Sequence, residues 1–96
     1  MSQKDIYQRT LKIWSDEHQI LQSVEEMSEL IKAILKNINR KQNNIAEIIE
    51  EPADVEIMLE QLKCCYHIEE EVETYKKEKL KKIEKRLDNL EDEHDK

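Results

Sequence analysis

Two pairs of carboxylates stand at helical spacing, Glu26 with Glu29 and Glu51 with Asp54. Residues three apart share a helix face. At 100° per residue, Glu51 falls about 20° from Met58 and from Leu62, and Glu26 about 20° from Ala33. One member of each pair therefore borders the apolar arc of its helix. Unpartnered buried carboxylates are costly, and crowding raises their pKa. A divalent cation removes that penalty, and an oxygen-only donor set suits Mg²⁺, Mn²⁺ or Ca²⁺. Mg²⁺ takes one or two carboxylates and keeps its other positions for water and phosphate, so four acids suggest several ions bridged by a polyphosphate. The same acid-acid-x-x-acid string recurs at Glu69-Glu70…Glu73 and Glu91-Asp92…Asp95. A helix start and a charged tail account for those copies.

Cations and aromatics supply a second set of candidates. Ile68, Val72, Tyr75, Ile83 and Leu90 form the stripe of a C-terminal helix. Lys79 and Arg86 fall within about 40° of its centre, with Lys82 beside it. Cations there either snorkel to the helix edge or, as a set facing a carboxylate–metal cluster, hold phosphates. Lys32 and Lys36 are weaker candidates for that role. Among Trp14, Tyr7, Tyr66 and Tyr75, Trp14 is the favoured surface for stacking a base; anchoring the first helix is its plain alternative. His18 and Gln19 are either surface residues or contacts for a base or ribose edge.

The elements that must position these residues are helices. The chain has 96 residues, a net charge of −7, 41% charged residues, one proline, no glycine and no phenylalanine. Without glycine there is no phosphate-cradling loop and no turn-rich β-sandwich or barrel. No apolar run spans a membrane. The start, MSQKDIYQRT, carries no apolar signal region, which predicts a cytoplasmic protein. The acidic balance argues against nucleic acid. Adjacent Cys64 and Cys65 read as reduced, small apolar residues.

Apolar residues recur at three and four along one domain, 1–96. The first helix is expected from about Lys4 to Trp14. Ser15 is expected to cap a second, running to about Lys36, with a core stripe of Ile20, Val24, Met27, Ile31 and Ile34. Asn37 to Asn44 reads as a loop. Asn44 is expected to cap a third helix, to about His67, with Ile45, Ile48, Ile49, Val55, Leu59 and Leu62 on one side. Pro52 predicts a kink or a restart within it. The fourth is expected from about Glu69 to Leu90, before a frayed tail from about residue 91. The fold class is all-α, of four-helix-bundle type. A chain this small buries only about 60–65% of its unfolded surface, which predicts a homodimer or a dimer of dimers.

Glu25-Glu26-Met27-Ser28-Glu29-Leu30, followed after a spacer by Glu51-Pro52-Ala53-Asp54-Val55, resembles the EExxE…ExxD signature of the MazG-like all-α nucleoside triphosphate pyrophosphohydrolases. Glu56 to Leu62 and Lys79-Leu80-Lys81-Lys82 extend the resemblance over roughly Gln19 to Leu87. It implies Glu26, Glu29, Glu51 and Asp54 as ligands of Mg²⁺, with Mn²⁺ as a substitute, and Glu25 or Glu29 as proton acceptor. It implies cleavage of a ribo- or deoxyribonucleoside triphosphate to the monophosphate and pyrophosphate, as nucleotide-pool housekeeping. Lys79, Lys82 and Arg86 would bind the phosphates, and Trp14 is the candidate for the base. Pro52 departs from the Ile, Leu or Met usual before Ala53. The alternative reading is a non-catalytic helical oligomerisation or interaction module. A di-iron bundle would need Glu-x-x-His pairs, which these helices lack.

Overall fold

The computed structural model describes residues 1–94 and contains four helices: α1 (Gln3–Ile13), α2 (Asp16–Ile38), α3 (Ile45–Tyr66) and α4 (Glu69–His94). No strand occurs among the described residues. The all-α, bundle-type class expected from the composition is the one observed.

Local sequence explains the boundaries. Ser2 and Asp5 close a reciprocal capping box on α1. The Ser15 hydroxyl accepts from the His18 N–H at 3.1 Å and starts α2. Asn44 begins α3 without a side-chain cap bond. Its amide instead donates to the Ala33 carbonyl of α2 at 3.0 Å, so it clips the two helices together. α3 runs through Pro52 without a restart, although proline gives Ile48 no N–H partner. α3 ends on His67 in the left-handed region (φ 55°). The Ile68 N–H bonds the Lys63 carbonyl and the His67 N–H the Cys64 carbonyl, the paired bonds of a Schellman cap. α4 continues through the charged stretch to His94, past the expected end at Leu90; residues 95–96 of the expected frayed tail lie outside the described residues.

α2 and α3 form an antiparallel hairpin that contains the core. Gln19 lies opposite Gln61, Ala33 beside Asn44 and Lys36 opposite Glu47. The buried residues of α2 are Gln19, Ser23 and Ala33; those of α3 are Val55, Met58 and Gln61. α1 and the start of α4 lean on α3.

The core stripe differs from the expected one. Val24, Ile31 and Ile34 are exposed, Val24 by 56% and Ile31 by 58%, while Ile20 and Met27 are half-buried. On α3, Val55 is buried and Ile48 and Leu62 half-buried, but Ile45, Ile49 and Leu59 are exposed. The hairpin seam takes the narrower, more polar stripe Gln19, Ser23, Glu26, Leu30 and Ala33, whose spacing of four and three also keeps one face. The oilier stripe is turned outward. Small side chains let two helices approach closely, and Gln19 bonds across the seam to Gln61.

Candidate metal centre

The antiparallel register brings Glu26 of α2 level with Glu51 and Asp54 of α3. Each offers a carboxylate oxygen, and these atoms all lie within 4.8 Å of one another. All three side chains are half-buried. The Gln22 amide donates to Glu26 Oε1 at 3.2 Å. Glu51 Oε2 is hidden from water and has no hydrogen-bond partner. Burial first, then the charges of Glu50, Asp54, Glu26 and Glu29, push the Glu51 carboxyl above its usual range.

An orphaned carboxylate oxygen among three converging acids is a poor arrangement for a protein alone. The donor set is all oxygen and carries up to three negative charges. These features fit a hard divalent cation such as Mg²⁺ or Mn²⁺.

The other sequence candidates fall in different places. Glu29 stands one turn along α2 from Glu26; it is exposed and pairs with Lys32 at 3.4 Å. Glu25 is exposed on the adjoining face. Of the four expected ligands, then, three meet and Glu29 flanks them. Lys79, Lys82 and Arg86 lie on the stretch of α4 that is exposed throughout, and none forms an ion pair among the described residues. Trp14 ends α1, about half exposed, and lies nearly parallel to the His18 ring with centroids 6.2 Å apart.

Sequence reasoning missed Gln22 as a partner of Glu26 and Gln61 as a partner of Gln19. The signal was the run Gln19, Ser23, Glu26, Leu30 and Ala33, a spacing of four and three hidden by its polarity. Gln19 is buried and bonded across the hairpin rather than lying on the surface. Burial raises both cysteine thiols, with Glu69 adding to Cys64 and Asp16 to Cys65. Both cysteines are free.

No family model matches the chain, and no curated protein and no solved structure does.

Proposed function

We propose that the chain is a Mg²⁺-dependent nucleoside triphosphate pyrophosphohydrolase, acting between the α and β phosphates to give a monophosphate and pyrophosphate. The convergence of Glu26, Glu51 and Asp54 around the partnerless Glu51 Oε2 carries this reading. Those three residues would hold the cation, with Glu29 completing the set when its Lys32 pair opens. A bound Mg²⁺ or Mn²⁺ supplies neutralisation of phosphate charge and activation of water.

The rest of the site follows the α2 surface. On a helical wheel, His18, Gln22, Glu25, Glu29 and Lys36 fall on one side of the hairpin seam. Trp14 and His18 mark one end of this strip and can flank a base. Glu26 lies about 10 Å further along the helix from Gln19. Beyond it, Lys32, Lys36 and Arg40 line a shallow hollow with Leu35 and offer positive charge to a phosphate tail. Glu25 or Glu29, exposed beside the triad, would accept the proton of an attacking water. Lys82 of α4 would reach the tail from a second subunit.

The exposed stripe of α2 (Leu21, Val24, Ile31, Leu35 and Ile38) supports self-association, because an apolar stripe this long on a charged chain calls for a cover. The same stripe favours the second reading, a helical interaction module without chemistry. A product assay separates the two. The chain is incubated with each ribo- and deoxyribonucleoside triphosphate and Mg²⁺, with Glu26→Gln as control. Monophosphate plus pyrophosphate, lost in the variant, is the expected result. Diphosphate plus phosphate would refute the cleavage, and no turnover of any triphosphate would favour the module.

A further inference from the structure

From Glu73 to His94 every side chain of α4 is exposed, so nothing among the described residues covers this length of helix. Leu80, Ile83, Leu87 and Leu90 recur along it at three, four and three, each between 42% and 61% exposed. That spacing is the a/d seam of a coiled coil over two heptads. Placing the seam there moves Lys79 and Arg86 off the apolar stripe. They take the g positions beside it, and Glu84 and Glu91 take the e positions.

The charges then select an orientation. In a parallel, in-register pair, a g side chain meets the e side chain of the following heptad on the other helix. Lys79 meets the partner's Glu84, and Arg86 meets the partner's Glu91. Symmetry doubles these to four contacts, all of opposite sign. An antiparallel pair instead sets g against g and e against e, which brings Arg86 onto the partner's Arg86 and Glu84 onto the partner's Glu84.

We propose that Leu80 to Leu90 of α4 is a docking surface for the same segment of a second copy, parallel and in register. Two heptads make a short seam, so the contact adds to whatever covers the outer face of α2. It occupies Lys79 and Arg86 and leaves Lys82, at the outward c position, for a phosphate. It does not depend on the proposed reaction.

Charge exchange tests it on the full chain by sedimentation equilibrium. One variant carries Lys79→Glu with Arg86→Glu, the other Glu84→Lys with Glu91→Lys. Neither touches the apolar seam, and circular dichroism verifies that helix content is kept. Each variant alone is expected to dissociate about tenfold or more readily than wild type, since four attractive contacts become repulsive. An equimolar mixture is expected to regain wild-type association, because the exchanged g and e charges match only between unlike chains. Variants that associate as tightly as wild type, a mixture no tighter than its components, or a wild-type chain that stays monomeric would each overturn the proposal.

Discussion

The Gln19 side-chain amide of α2 donates to the Gln61 carbonyl oxygen of α3, and both residues are buried. The bond lies near the open end of the hairpin, while Asn44 clips the loop end to Ala33. Together they fix the register in which Glu26 meets Glu51 and Asp54. A polar pair in a packed seam specifies alignment because any slip leaves a buried amide without a partner.

Gln61→Ala should therefore cost more than its lost contact area. It strands the Gln19 amide, a penalty of about 1–3 kcal/mol. Replacing both partners, Gln19→Leu with Gln61→Leu, should recover most of that loss, since no polar group remains unsatisfied. Urea unfolding of the two variants gives the comparison; a double variant less stable than Gln61→Ala would contradict the account.

Glu51 should destabilise the metal-free fold at neutral pH. Its folded carboxyl is raised above 4.5, so the folded state binds the proton more tightly than the unfolded chain. The resulting stability is fully present below about pH 4.5 and is lost as pH rises through the folded value. Glu51→Gln removes the charge and keeps the shape. In thermal melts its advantage over wild type should be absent in acid and grow towards pH 7. Millimolar Mg²⁺ or Mn²⁺ should raise the wild-type Tm and leave the variant nearly unmoved. Equal metal shifts in both proteins would remove Glu51 from the ligand set.

His67 holds a left-handed conformation that costs a residue with a Cβ about 1–2 kcal/mol. His67→Gly keeps both bonds of the cap and should stabilise the chain by about 1 kcal/mol. Chemical denaturation would read this directly. A loss of stability would mean that the imidazole contributes at that turn.

Much of the helical plan could be read from the residues. Ser15 as the α2 cap and the end of α3 near His67 follow from local hydrogen bonding, which neighbours in sequence decide. Asn44 stands at the α3 start as expected, but its amide bonds Ala33 of α2 and makes no cap. Local propensity also set α4, though its acidic end stays helical through His94, past the expected fraying. Pro52 shows the limit of a local rule. Tertiary packing of α3 against α2 keeps the helix continuous across the missing bond.

The carboxylate pairs were legible because three-residue spacing puts both members on one face whatever the fold. Their meeting was not. The chain alone determined that there would be four amphipathic helices, acidic and without glycine, with Glu26, Glu29, Glu51 and Asp54 at helical spacing. Only the tertiary structure decided which face of each helix turns inward. It chose the seam of Gln19, Ser23 and Ala33 over the stripe of Val24, Ile31 and Ile34, joined Glu26 to Glu51 and Asp54, and left Glu29 with Lys32. A helix with two buriable stripes carries no record of which one its own chain will cover. Close approach and cross-hairpin hydrogen bonds settle that choice, and they exist only once α2 and α3 have docked.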